Sequence, residues 1–208
     1  MKQSKIIGIT GSISTGKSAA DKIIRSYGYE IVDADEIAHE VLRKDEVKNL
    51  LKHSFGNYII KNNEVDRDLL GRIIFKDENK RDILNNITHP FIYDEIKKNI
   101  SKSKHKVVFV DIPLLIETLP DIKKYGLDID EIWLIYASQD IQIKRLVERD
   151  NISLEYAREK ISSQMSVDEK KKYADIIIDN SYTLEDLKMS IKKEIQDLKR
   201  RVIWKNQF

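Results

Sequence analysis

Near the start of the chain, eight residues, Gly11-Ser12-Ile13-Ser14-Thr15-Gly16-Lys17-Ser18, have the types and spacing needed to hold an anion. They match the pattern G-x-x-x-x-G-K-[ST] at every fixed position. The two glycines let the backbone turn tightly. The intervening N–H groups and the positive end of a following helix attract phosphate. Lys17 can reach the β- and γ-phosphates of a nucleoside triphosphate, and the Ser18 hydroxyl can ligate Mg2+. By average residue usage such an octamer arises by accident in roughly one chain per hundred of this size. Here it follows an apolar run, Lys5–Thr10 (KIIGIT), and opens a helical pattern over Lys17–Tyr27. That is the strand-loop-helix order its mechanism requires, so the octamer reads as a P-loop.

Three further sets of residues fit phosphoryl transfer. Asp111 ends the apolar run VVFV, where a carboxylate can bind Mg2+ directly or through water; an ordinary strand-end aspartate is the plainer alternative. Asp33 and Asp35, in VDAD, end a second short strand, at the edge where open α/β sheets place ligands. Asp35 fits an N-cap for a helix over Glu36–Leu42. Asp33 fits that role less well and is the candidate base for an acceptor hydroxyl. Arg145 and Arg149 lie four apart, on one face of a helix over Asp140–Arg149. They can place cations over departing phosphates; a salt-bridged surface helix is the plainer alternative.

The elements that must position these groups follow from periodicity. Short β-rich runs at Lys5–Thr10, Glu30–Val32, Lys106–Ile112, Glu131–Tyr136 and Asp175–Ile178 alternate with helical patterns. Five strands in that alternation predict an α/β fold with a parallel, doubly wound sheet. Residues from Glu36 to about Ser103 read as helical with no convincing buried strand, a helical insertion between the second and third strands. His89-Pro90 marks a helix break within it, because proline disfavours helical geometry in the residue before it. Ser153–Tyr173 is charged and helical. Thr183–Ile203 carries one apolar stripe, Leu184, Leu187, Ile191, Ile195, Leu198 and Val202, expected to pack on the sheet.

Composition narrows the function classes. The 208 residues suffice for one α/β domain with an insertion. Charged residues make up 35% but the net charge is only +2, so a polynucleotide partner is disfavoured. There is no cysteine, which excludes disulfides, thiolate metal sites and cysteine nucleophiles. The basic N-terminal segment has too short an apolar run for a signal peptide, and no stretch is long enough to span a membrane. The expectation is a cytoplasmic protein with a small-molecule substrate and neither nucleic-acid nor membrane partners, a monomer with an oligomer left open.

The wider pattern resembles a known family. After the P-loop come DAD at Asp33–Asp35, His89-Pro90, DIPLLIE at Asp111–Glu117, KRLVERD at Lys144–Asp150, QMSVDEK at Gln164–Lys170 and ADIIIDN at Ala174–Asn180. This order resembles dephospho-CoA kinase, the last enzyme of coenzyme A biosynthesis, over essentially the whole chain. The resemblance implies a five-stranded P-loop kinase sheet with a helical acceptor-binding insertion and a helical lid. The nucleotide-binding core would be 1–35, 104–149 and 174–208, the insertion 36–103 and the lid 150–173. The reaction implied is ATP- and Mg2+-dependent phosphorylation of the ribose 3′-hydroxyl of dephospho-CoA.

By the same resemblance Asp33 is the general base, Lys17 and Arg145 act on the transferring phosphoryl group, and Ser18 serves the metal. Gly11, Ser12, Ser14, Thr15, Gly16, Lys17, Ser18 and Ala19 form the ATP loop, with Asn180 near the adenine. Arg67, Arg72 and His89 belong to the acceptor domain, and Pro113, Leu114 and Leu115 line the acceptor cleft. The chain departs from the family's usual GGIGSGKST in Ser12, Ser14 and Ala19. If either glycine site needs positive φ, serine there costs about 1–2 kcal/mol. Ser166 stands where the lid often has proline, which predicts a looser lid. The alternatives are a kinase of the same architecture for a nucleoside monophosphate or small alcohol, and a P-loop module whose nucleotide state signals to a partner.

Overall fold

A computed structural model describes residues 4–204; the first three residues of the basic N-terminal segment lie outside the described residues. Five strands form one sheet in the order β2-β5-β1-β6-β7. They are β1 (Lys5–Gly11), β2 (Glu30–Asp33), β5 (Val107–Asp111), β6 (Glu131–Tyr136) and β7 (Ile176–Asp179). β1 pairs in parallel with β5 and with β6, and β6 pairs in parallel with β7. The central β1 is buried at every residue after Lys5, as its unbroken apolar run requires. Strand ends differ from the sequence expectation by one or two residues, within the usual fraying of such boundaries.

The chain divides into two compact units. The first comprises residues 1–31, 104–120 and 128–208. Its core joins Ile7, Ile9, Phe109, Trp133 and Ile135 of the sheet to Ala20, Ile23 and Ile24 of α1 (Lys17–Ser26) and to α10 (Leu184–Trp204). Leu187, Ile191, Ile195 and Leu198 of α10 are buried there, with Val202 packed alongside, while Leu184 is exposed. The expected stripe therefore packs on the sheet from its second turn onward. Phe109 and Trp133 meet edge to face, with ring centroids 5.1 Å apart.

The charged segment after α7 (Gln139–Asp150) folds as α8 (Leu154–Ser162), α9 (Val167–Lys170) and a 3-10 turn at Lys171–Tyr173. It is not without a core. Leu146 of α7 and Ala157 and Ile161 of α8 form a small apolar cluster against which Ile13 of the P-loop packs. Ser166 is the N-cap of α9, its hydroxyl accepting from Glu169 N at 3.1 Å. A helix start fixed in this way removes the local reason to expect a looser segment.

The second unit comprises residues 32–103 and 121–127. It contains α2 (Ala34–Val41), α3 (Asp45–Phe55), α4 (Arg67–Lys76) and α5 (Glu78–Lys102). Residues 121–127, expected in the nucleotide core, group with this unit instead. Their Tyr125 stacks on Tyr93 of α5, with centroids 5.1 Å apart, and accepts at its carbonyl from Lys97 Nζ at 2.8 Å.

Two local expectations for this unit are overturned. A small antiparallel hairpin, β3 (Ile60–Lys61) and β4 (Glu64–Val65), interrupts the helices. Its strands are too short to show an alternating pattern, and Asn62 and Asn63 make the turn in left-handed conformations. Nor does His89-Pro90 break a helix, because α5 runs through Pro90. Pro90 and Asn86, whose carbonyl loses its helical donor, are both exposed, so water can replace the missing bond. Tyr93, Ile96 and Ile100 continue the buried face beyond the proline and hold the helix together.

Candidate active site

The P-loop joins the end of β1 to α1 and curls around a cleft of about 530 Å³. Gly11, Ser12, Ile13, Ser14, Gly16, Lys17 and Ser18 line it, with Pro113, Arg145, Arg149 and Gln164. The two glycines serve different needs. Gly16 has φ 89, which strains any residue with a Cβ, and Asn180 Nδ2 occupies the space such a Cβ would take. Gly11 is required by close approach, since a Cβ there would come within 2.5 Å of Thr15 Oγ1. Of the two loop serines, Ser14 takes positive φ, at 60°, and Ser12 does not. The expected backbone cost therefore falls on Ser14 alone.

The loop is held from behind. Asn180, at the end of β7 and 6% exposed, donates from Nδ2 to the carbonyl of Thr15 at 2.8 Å. The Asn180 carbonyl accepts from Arg145 Nη2 at 2.8 Å. Arg145 is thus anchored, with Nη1 left as a buried donor without a protein partner. Ser12 Oγ and Ser14 Oγ are likewise buried and unpartnered. Unpaired donors around a concave loop fit an anion that can accept from them. Arg149 instead pairs with its neighbour Asp150 at 2.7 Å, the surface ion pair expected on the plainer reading of this helix.

Lys17 is ion-paired with Asp111, which is 4% exposed at the end of β5. A second carboxylate, Asp21, lies one turn further along α1, 3.7 Å from Lys17 Nζ. Burial and then the charge of Asp111 raise the Asp21 pKa to about 7. The sequence reading missed Asp21, although its i,i+4 spacing from Lys17 was a visible signal. Ser18 is exposed at the start of α1, and Ala19 packs against the core with a methyl group and no hydroxyl. Mg2+ binds through one or two protein oxygens together with phosphate and water. A buried carboxylate at Asp111 and a hydroxyl at Ser18 are the oxygen donors that such a site takes.

Of the residues after β5, Pro113 lines the cleft, and its carbonyl accepts from Thr10 Oγ1 at 2.9 Å. Leu114 is exposed, but Leu115 is 0% exposed. Leu115 is therefore a core residue and does not line an open cleft.

In the second unit, Asp33 is the N-cap of α2, accepting from Asp35 N at 2.9 Å and Glu36 N at 3.1 Å, both at Oδ1. The capping role expected of Asp35 thus belongs to Asp33, because the helix begins at Ala34 rather than Glu36. Arg67 opens α4 and donates from Nη2 to His39 Nε2 at 2.6 Å. Arg72 Nε donates to the Asp68 carbonyl of its own helix at 3.2 Å. His89 packs edge to face with Tyr93 and Tyr125, its Nδ1 3.6 Å from Asp121 Oδ2. Burial pushes the His89 pKa below the usual imidazole value; Asp121 opposes this and Lys124 adds to it.

A model of the dephospho-CoA kinase family matches residues 5–186. The chain belongs to the dephospho-CoA kinase family. It is 40% identical over 200 residues to a dephospho-CoA kinase of Staphylococcus epidermidis, covering 93% of this chain and 95% of that protein. It is 38% identical over 205 residues to one of Arabidopsis thaliana, covering 96% and 86%. The crystal structure of TT1252 from Thermus thermophilus has a TM-score of 0.80 at 30% identity, over 95% of this chain and 99% of that one. Dephospho-CoA kinase from Campylobacter jejuni has a TM-score of 0.69 at 32% identity, over 93% and 96%. A shikimate kinase of Acinetobacter baumannii, 11% identical with a TM-score of 0.55, shares the fold alone. The five-stranded P-loop kinase sheet expected from the sequence is the fold of this dephospho-CoA kinase family member.

Proposed function

We propose that the cleft at Gly11–Ser18 binds ATP with Mg2+ and transfers the γ-phosphoryl group to the ribose 3′-hydroxyl of dephospho-CoA. As a member of its family the chain is a kinase of the last step of coenzyme A biosynthesis. The observation that carries the nucleotide assignment is the set of buried, unpartnered donors, Ser12 Oγ, Ser14 Oγ and Arg145 Nη1, on a loop of P-loop geometry.

Phosphoryl transfer needs little covalent help from the protein, so its residues act by position and charge. Lys17 donates to phosphate oxygens, sharing its ammonium with the Asp111 carboxylate or exchanging that partner for them. Arg145, steadied through Asn180, turns Nη1 to the transferring group. Asp111 and Ser18 would hold Mg2+, which when bound supplies charge neutralisation on the phosphates. Asp33 accepts the proton of the acceptor hydroxyl, with its orientation set by the two cap hydrogen bonds at Oδ1. Arg67, Arg72 and His89, on the helices of the second unit, belong to acceptor binding.

Each chain carries a whole P-loop cleft, so a monomer suffices for nucleotide binding. No helix among the described residues is long and apolar enough to cross a membrane, and the proposal includes a cytoplasmic location. The test is a coupled assay of ADP release with Mg-ATP and dephospho-CoA. Acceptor-dependent turnover is the expected result; no turnover above an ATP-only blank overturns the proposal.

A further inference from the structure

Two residues of the family-like motifs, Glu117 of DIPLLIE and Lys170 of QMSVDEK, have no part in the chemistry described above, yet they meet in the structure. Lys170 is 0% exposed. Its Nζ lies 2.9 Å from Glu117 Oε1 and donates to the carbonyl of Gly11 at 3.0 Å. A fully buried ammonium needs oxygen partners to remain in place. One of the two it has chosen is the backbone of the P-loop's first residue.

That choice has a geometric consequence. The described backbone has no cis peptide bond. In a trans peptide the C=O and the next N–H point in opposite directions. Holding the Gly11 carbonyl therefore aims the Ser12 N–H away from the buried ammonium. Asn180 does the same at the far end of the loop, where its hold on the Thr15 carbonyl aims the Gly16 N–H. Lys170 does not line the cleft, and Glu117 balances its charge. What it can give the loop is orientation rather than field. Its own position is well determined. It ends α9, whose first turn is capped by Ser166, and the neighbouring Lys171 ammonium sits 3.7 Å from the centroid of the Tyr136 ring.

We propose that Lys170 is a positioning residue that holds the first turn of the P-loop in its phosphate-accepting orientation, with Glu117 as its counter-ion. The proposal rests on the reading of this loop as the nucleotide site. It differs from a purely structural ion pair in one respect that can be measured. A structural pair can be replaced as a pair, but an orienting contact to Gly11 cannot be restored by also neutralising Glu117.

The experiment compares wild type, Lys170→Met and the double variant Lys170→Met/Glu117→Gln. It measures the melting temperature and the Kd for Mg-ATP by calorimetry, which needs no acceptor. It also measures the KM for dephospho-CoA in the coupled assay. Lys170→Met leaves a half-buried carboxylate unpaired and should lower Tm by about 10 °C. The double variant should recover most of that loss. Its Kd for Mg-ATP should stay about 10- to 100-fold above wild type, the effect of losing one charge-assisted hydrogen bond, while the KM for dephospho-CoA changes little.

A Kd more than about fivefold above wild type in the double variant supports the proposal, and one at or below that overturns it. If Lys170→Met does not fold, the comparison of the double variant with wild type decides the matter. Wild-type protein that fails to bind Mg-ATP or to use dephospho-CoA sinks the kinase reading itself, whatever the variants do.

Discussion

The ammonium of Lys17, in the P-loop, is ion-paired with the carboxylate of Asp111, at the end of the neighbouring strand β5. A phosphate bound by Lys17 would share the ammonium with this carboxylate or replace it, since three N–H donors can serve more than one oxygen. Lys17→Ala should reduce acceptor-dependent ADP release by about 100-fold or more. Asp111→Asn should separate two roles. It removes the competitor for Lys17, so the Kd for ATP without metal stays level or falls, while Mg2+-dependent kcat drops about 100-fold. Calorimetry with and without Mg2+ checks this, and equal losses in both conditions would contradict the assignment of Asp111 to the metal.

Asp33 caps α2 through Oδ1 alone, which makes asparagine a clean substitute. Its amide oxygen can accept the same bonds from Asp35 N and Glu36 N but cannot take up a proton. Asp33→Asn should keep stability within about 0.5 kcal/mol and lower kcat by about 100-fold, with the Kd for Mg-ATP unchanged. Asp33→Ala should lose the cap as well, costing about 1 kcal/mol. Undiminished turnover in Asp33→Asn would remove the base role.

Ser14 holds φ at 60°, a conformation glycine adopts without steric cost. Ser14→Gly should stabilise the protein by about 1 kcal/mol, raising Tm by about 2–4 °C. It also removes a buried hydroxyl that has no protein partner. If that hydroxyl binds phosphate, the Kd for Mg-ATP rises as Tm rises; if it does not, Kd stays level. Thermal melts with and without Mg-ATP distinguish the two.

The raised pKa of Asp21 sets the sign of a pH dependence. Burial, then Asp111, raise its folded pKa to about 7, above the ordinary value of 3.8. The folded state therefore holds a proton that the unfolded state releases, and stability falls as pH rises between those two values. Without nucleotide, Tm should decline from pH 5 to pH 7.5, by an amount equivalent to a few kcal/mol at most. Asp21→Asn should flatten that slope. A slope that survives in Asp21→Asn would place its origin elsewhere.

Much of the fold was legible in the sequence because the central strands of the sheet, such as β1 and β5, are buried on both faces. Such strands must be unbroken apolar runs, and KIIGIT and EIWLIY can hardly be read otherwise. The same reasoning fails where burial does not impose a pattern. The Ile60–Val65 hairpin has two residues per strand and no periodicity to detect. Pro90 obeys its local preference in most contexts, but here the buried face continued by Tyr93 and Ile96 overrides it.

At the candidate site, the sequence alone was enough to propose the phosphate-binding loop, its lysine and its hydroxyl, because the P-loop's chemistry lies in consecutive residues whose mutual geometry is local. It could not determine partners brought together from distant segments. That Asp33 rather than Asp35 caps α2 depended on where the helix starts. That Leu115 is core, that Asp21 shares Lys17 with Asp111, and that Lys170 reaches Gly11 across 159 positions of chain were decided only by tertiary packing. Burial there sets which charges must find partners and which backbone groups are left to supply them.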